Sequence, residues 1–211
     1  MPDVVPLKKR RGRPPKAGRE ATETRAALLR TAMEIGTEKG FSGVGLDEML
    51  KAVGVPKGSF YHWFDSKEAF GLAVIDTYGR YFAGKLDRHF GNVELTPRQR
   101  LQAFFDDARR GMARHDFTRG CLVGNLGQEI ALLPGSFRQA LIDTFLDWEA
   151  RTEACLRTGV EAGEFRADLD CARQAKTFWI GWEGAVLRAK LERQAAPLDA
   201  FATTFLQQIE A

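Results

Sequence analysis

Leu46-Asp47-Glu48-Met49-Leu50-Lys51-Ala52-Val53-Gly54-Val55-Pro56-Lys57-Gly58-Ser59-Phe60-Tyr61-His62-Trp63-Phe64 reads as two short helices on either side of a glycine turn. Gly54 ends the first, about Leu46–Val53, and the second, about Lys57–Phe64, begins just after Pro56. Proline is tolerated there because a first-turn N–H has no intrahelical partner to lose. Leu46, Leu50, Val53, Val55, Phe60 and Phe64 can pack inward. Lys57, Ser59, Tyr61 and His62 are then left outside, a mixture of donors, a phenol and an imidazole on one short helix. This is the helix-turn-helix arrangement, in which the second helix enters the major groove of DNA. Lys57 and Lys67 flank it, each suited to a phosphate, and a helix N-terminus at Ser66–Glu68 can add backbone N–H groups.

Helical periodicity continues outward in both directions and no alternating strand pattern interrupts it. A helix is predicted from about Thr22 to Lys39, with Ala26, Leu29, Ala32 and Met33 facing inward and Gly40 as its stop. After the second short helix, Asp65 or Ser66 caps a long helix to about Phe90. Further helices are predicted at Pro97–Arg114, Gly120–Leu132, Gly135–Ala162, Cys171–Arg193 and Pro197–Ile209. The fold class is therefore all-α: a three-helix helix-turn-helix domain over residues 20–67, then a helical bundle over 68–211 for ligand binding and dimerisation.

The charge of the chain is unevenly placed. Its 211 residues carry 31 basic and 28 acidic side chains, a net of +3. Seven of the basic groups fall in residues 8–19 with no acid among them, which leaves 24 against 28 elsewhere, a net of −4. A mildly acidic body with a cationic arm implies an anionic partner for the arm. Residues 1–19, rich in Pro, Gly, Lys and Arg, are expected to order only on binding. At 44% hydrophobic residues, the remainder can bury a core. No apolar run approaches the roughly 18–20 residues that span a bilayer. Three cysteines are too few for a disulfide framework, so a cytoplasmic protein with reduced thiols is expected.

Within the arm, Arg10-Arg11-Gly12-Arg13-Pro14-Pro15-Lys16 resembles an AT-hook, which lies in the narrow minor groove of A·T-rich DNA. Gly lets the backbone reach the groove floor, Arg10, Arg11 and Arg13 meet its enhanced negative potential, and Pro keeps the chain extended. A solvated tail that attracts DNA without specificity is the other reading.

Val55 to Phe70, preceded by Glu38-Lys39-Gly40-Phe41, closely resembles the DNA-binding domain of the TetR family of repressors. The pattern is Gly58-x-x-Tyr61-x-x-Phe64 followed by Ser66-Lys67-Glu68, and the likeness covers about residues 22–75. It implies DNA contacts by Lys57, Ser59, Tyr61, His62 and Lys67. Three positions depart from the family pattern: Gly36 replaces a large apolar residue, Gly45 a threonine and Leu50 an alanine. Leu50 is a candidate to fill the volume missing at Gly36.

A second resemblance lies in the body. Gly111-Met112-Ala113-Arg114-His115, Arg119-Gly120-Cys121-Leu122-Val123-Gly124-Asn125-Leu126-Gly127-Gln128-Glu129 and the run from Phe178 to Leu191 are similar to the acrylate-utilisation regulator subgroup of that family. The subgroup is related to the repressor of N-ethylmaleimide reductase. The resemblance implies a response to small carboxylates or reactive electrophiles.

The residues give that implication a chemical basis. Cys121 sits at a first helical turn beside Arg119, and both a helix N-terminus and a cation stabilise thiolate. Thiolate is the form that adds to an activated alkene; the alternative is a packed, inert thiol. Asn125 and Gln128 follow at i+4 and i+7 on the same face, as pocket donors or as solvated groups. Trp179 and Arg188 complete the candidate sensing set, with His115 a second possible carboxylate partner. Trp182, Ala185 and Ala189 form a stripe expected at the contact of a homodimer, and Gly181 and Gly184 hint at close helix approach or a bend.

These features point to a ligand-controlled repressor, released from a palindromic double-stranded DNA operator by a small-molecule inducer, with no cofactor and no metal. An architectural A·T-binding protein without inducer response is the alternative. A thiol enzyme is disfavoured because no Cys–His pair, metal cluster or phosphate loop is recognisable.

Overall fold

The computed structural model describes residues 19–42 and 45–210, so Arg10, Arg11 and Arg13, the expected minor-groove contacts, lie outside the described residues. The described chain is built of helices in the order α1 Arg19–Lys39, α2 Leu46–Val53, the 3-10 helix η1 Lys57–His62, α3 Lys67–Phe90, α4 Pro97–Ala113, α5 Leu122–Gln128, the 3-10 turn η2 Ile130–Leu132, α6 Gly135–Glu161, α7 Cys171–Glu192 and α8 Ala196–Ile209.

Local chemistry sets most of these limits. Gly40 (φ +79°) and Gly54 (φ +71°) end α1 and α2 in the left-handed region that a Cβ disfavours. Ser66 caps α3 by accepting from the Ala69 N–H, and a capping box of Thr96 and Gln99 opens α4 ahead of Pro97. Asp170 caps α7 by accepting from the Arg173 N–H at 3.1 Å. Three limits differ from expectation. α1 begins at Arg19 rather than Thr22, because Glu20 and Ala21 are good helix formers with no breaker among them. The second helix of the reading motif is 3-10, where Gly58 and Ser59 weaken a full α-turn. The helix expected over Gly120–Leu132 is two pieces that break at Glu129, whose side chain is engaged elsewhere.

α1, α2 and η1 enclose a small core of Leu28, Leu29, Ala32, Met49, Leu50 and Phe60, closed by Phe64 and Phe70. Met33 is partly buried, whereas Ala26 is exposed and not on the inner face as expected. The bundle core is aromatic. Trp148 and Trp179 lie with ring centroids 4.9 Å apart, Phe82 and Trp148 at 4.6 Å, and Phe178 and Phe205 at 5.0 Å. Such pairs each contribute on the order of 1 kcal/mol beyond the area they bury. An antiparallel bridge between Phe165 and Glu210 fastens the C-terminus to the α6–α7 connection.

The stripe expected to meet a second subunit faces inward instead. Trp182, Ala185 and Ala189 are buried within the chain, because Trp182 stacks among Phe105, Phe178 and Phe201 of the same bundle. The outer face of α7 carries Ile180 and Leu191, each 69% exposed, with Leu187 between them. Gly184 lies on that outer face with open space around it, whereas Gly181 makes room for the Phe201 ring.

Candidate DNA interface and sensing cavity

The reading head presents a polar edge to solvent. Tyr61 is 58% exposed, so it is not a core aromatic, whereas Phe64 is buried and Trp63 partly so. Lys57, His62 and Lys67 are exposed and Ser59 half-buried. Lys57 Nζ lies 2.9 Å from Asp47 Oδ2, an exposed pair that raises the lysine pKa through hydrogen bonding and charge. Exposed pairs of this kind are worth at most about 1 kcal/mol, so Lys57 can leave Asp47 for a phosphate.

A cavity of about 520 Å³ opens on the other side of α1. Met33, Glu34 and Thr37 of α1 form one wall, Tyr78, Tyr81, Phe82 and Lys85 of α3 a second, Phe104, Ala108 and Met112 of α4 a third, and Trp182, Glu183 and Val186 of α7 a fourth. Arg30, Arg114, His115 and Arg119 bring basic groups to it. An apolar chamber with a few polar groups is the usual form of a small-molecule site, and this volume suits a small ligand.

Cys121 lies in the lining of this cavity, only 8% exposed. It is the N-cap of α5, and its Sγ accepts from the Gly124 N–H at 3.5 Å. The expected thiolate does not follow. Burial pushes the Cys121 thiol well above the ordinary range and the Glu183 carboxylate adds to this, outweighing the Gly124 N–H. Arg119 lies 3.9 Å from both Glu34 and Glu38, so its charge is directed to α1.

The rest of the expected sensing set is dispersed. Asn125 turns to α1 and donates to the carbonyls of Gly36 (2.9 Å) and Thr37 (3.0 Å). Gln128 is exposed and reaches only its own helix. Trp179 is buried beyond the cavity, with Nε1 donating to Thr152 Oγ1 at 3.0 Å. Arg188 is exposed and pairs with Glu192. Of that set, only Cys121 lines the cavity; His115 also does, from the exposed turn that follows α4.

Two features went unread in the sequence. Glu183 is the single charged residue between Phe178 and Leu187, and an isolated acid in an apolar run was the available signal. Burial pushes it up to about 7, and its Oε1 is buried without a partner. The second feature is a clasp on the C-terminal end of α1. The Thr37 carbonyl accepts from Gly120 N (2.8 Å) as well as from Asn125, and the Glu38 carbonyl accepts from Lys190 Nζ (2.7 Å). Glu129 Oε2 accepts from the backbone N–H groups of Phe41 (3.0 Å) and Ser42 (2.8 Å) in the turn that leads to α2.

Comparison with known proteins agrees with this arrangement. Residues 28–74 match the family model described as bacterial regulatory proteins, tetR family, and residues 97–205 match the tetracyclin repressor-like C-terminal domain. The chain is 52% identical to the transcriptional regulator AcuR of Cereibacter sphaeroides, covering 97% of this chain and 93% of that one. It is 33% identical to the repressor NemR of Escherichia coli, covering 84% and 89% respectively. Among solved structures, a regulatory protein TetR from Rhodobacter sphaeroides superposes with a TM-score of 0.86 at 52% identity, over 88% of this chain and 98% of that one. The reduced form of Escherichia coli NemR gives 0.82 at 32% identity, over 90% and 97%.

Proposed function

Given that the chain belongs to the TetR family of bacterial transcriptional regulators, we propose that it is a repressor released from a palindromic operator when a small molecule enters the cavity lined by Cys121. The observation that carries this is the shared wall: α1 belongs to the DNA-reading head and also closes the cavity. A ligand there bears directly on Met33, Glu34 and Thr37, one turn from the carbonyls held by Gly120, Asn125 and Lys190. For induction, the ligand must bind the released conformer better than the DNA-bound one. A bundle that served only for dimerisation would have no use for such a chamber.

The basic groups around the cavity and its aromatic interior favour a small carboxylate or a small electrophile carrying a short apolar body. Lys57, Ser59, Tyr61, His62 and Lys67 are the contacts to DNA, with the arm containing Arg10, Arg11 and Arg13 adding attraction for the backbone or the minor groove. The outward face of α7, Ile180, Leu187 and Leu191, is the surface for the second subunit. Two reading heads related by a two-fold axis call for half-sites about one helical turn apart or a multiple of it.

A gel-shift on the DNA upstream of the protein's own gene tests the reading, with acrylate and acrylamide as probes. Retardation that a probe abolishes is the expected result. Failure to retard that DNA, or retardation indifferent to every acid and electrophile tried, counts against it.

A further inference from the structure

Glu183 and Cys121 meet at the cavity from different helices. Gly124, one turn after Cys121, makes this possible: a Cβ there would collide with Glu183 Oε2 and lie 3.7 Å from the Cys121 Cβ. Tyr78 from α3 lines the same part of the cavity, and the nearby Glu183 carboxylate adds to burial in keeping the thiol protonated. The other Glu183 oxygen, Oε1, is buried with no hydrogen-bond partner. A buried carboxylate oxygen left without a donor costs free energy that packing alone does not explain.

We propose that Glu183 is the proton acceptor for Cys121 and that the pair makes the cavity an alkylation site for small, electron-poor alkenes. This rests on the reading of the cavity as the sensing site. As the sulfur–carbon bond forms at the β-carbon of the alkene, the S–H proton passes to Glu183. The alkene electron pair moves onto the α-carbon and its electron-withdrawing group. Glu183 then returns the proton to the α-carbon. The net result is addition of S–H across C=C, with nothing oxidised or reduced and no co-reactant.

The arrangement explains why the thiol is kept protonated. A standing thiolate reacts with any oxidant or alkylating agent that reaches it. A shielded thiol that loses its proton only to a neighbouring base reacts with what fits the cavity. A base works best with a pKa near the working pH, and burial brings Glu183 to about 7. The other charged or titratable groups around the cavity are Arg30 and Glu34 from α1, Tyr78, Tyr81 and Lys85 from α3, and Arg114, His115 and Arg119 from the connection between α4 and α5.

The test is the rate of Cys121 modification by acrylamide, followed by intact-mass spectrometry of the full chain between pH 5 and 9. For the parent protein, a rate that rises with an inflection near pH 7 is expected. Glu183→Gln should react at least tenfold more slowly at pH 7.5, with its rate still climbing at pH 9. Glu183→Asp, which keeps a carboxylate, should retain the inflection at a lower rate. If Cys121 is unlabelled in the parent, or if Glu183→Gln matches the parent in rate and profile, the proposal is overturned. Operator release by acrylamide that persists in Cys121→Ser overturns the covalent step while leaving the regulator reading intact. A parent protein that is alkylated with the expected profile but never retards its upstream DNA supports the chemistry and sinks the regulator.

Discussion

Asn125 donates its side-chain amide to the carbonyl of Thr37 at 3.0 Å, joining the helix that Cys121 caps to the last turn of the first DNA-domain helix. The Gly36 carbonyl, its second acceptor, also receives the Gly40 N–H, and Thr37 also receives the Gly120 N–H. Neither carbonyl is orphaned when Asn125 is removed. Asn125→Ala should therefore cost only about 1 kcal/mol of stability. Its larger effect should be on communication, with the ratio of operator Kd values with and without acrylate or acrylamide falling several-fold. Thermal melts and a gel-shift titration measure the two quantities. A ratio equal to the parent's would show that the signal does not pass through Asn125.

Gly40 and Glu129 make a second, separable link. Gly40 has φ +79°, and a Cβ on it would collide with Glu129 Oε1. Gly40→Ala combines backbone strain of about 1–2 kcal/mol with displacement of Glu129 from the Phe41 and Ser42 N–H groups. In a Glu129→Ala background the collision is gone and only the strain remains, so the two changes should be non-additive. Hydrogen exchange gives a local readout. Protection of the Phe41 and Ser42 amides should be lost in both single variants, and strict additivity with protection retained would refute the link.

Legibility in the sequence followed the range of the interactions. The bounds of α2 were readable because Gly54 is a local stop. The break at Glu129 was not, since Glu129 acts on residues 87 and 88 positions away. The exposed polar edge of Lys57, Tyr61 and His62 was readable from a two-helix pattern. The sensing set was read from one face of one helix, whereas the cavity draws its walls from four helices. Only Cys121 of that set belongs to it, and Glu183 was passed over. The same limit applies at Gly36. Leu50 is buried, but the side chain a Cβ at Gly36 would strike is Leu122, from the distant α5.

Trp179 offers a discriminating control for the sensing role first read for it. Its indole N–H donates to Thr152 Oγ1, whose hydroxyl in turn donates to the Trp148 carbonyl at 2.9 Å. Trp179→Phe removes that donor from a buried, stacked cluster. A loss of about 2–4 kcal/mol in denaturant unfolding is expected from the lost packing and hydrogen bond. The response to acrylate or acrylamide should be retained, since Trp179 is not part of the cavity lining. A stable Trp179→Phe protein that no longer responds would restore Trp179 to the sensing set.

The buried carboxyl of Glu183 also sets a pH dependence of stability. Its pKa is held near 7 in the fold against an ordinary 4.5. Between these values the folded chain binds more protons than the unfolded one, so stability falls as pH rises through the window. At 1.36 kcal/mol per unit, the span corresponds to about 3 kcal/mol, fully lost above the folded pKa. Glu183→Gln removes the titrating group and should flatten the melting temperature between pH 5 and 8, leaving the variant more stable than the parent at pH 8. Parallel pH profiles for the two proteins would mean that Glu183 ionises without cost.

The basic arm makes the last prediction electrostatic. Residues 8–16 supply six cations to a body that is otherwise mildly acidic. Each phosphate they neutralise steepens the fall of log K with log salt by about 0.9. A chain lacking residues 1–18 retains α1 whole, because the helix begins at Arg19. It should bind its operator more weakly at low salt and with a flatter slope, the two curves converging as salt rises. Operator flanks separate the two modes of arm binding. Insertion of Arg10, Arg11 and Arg13 in a narrow minor groove makes the parent, but not the truncated chain, prefer A·T-rich over G·C-rich flanks. A lowered slope with equal affinity for both flanks means general attraction to the backbone. An unchanged slope means that the arm does not touch DNA.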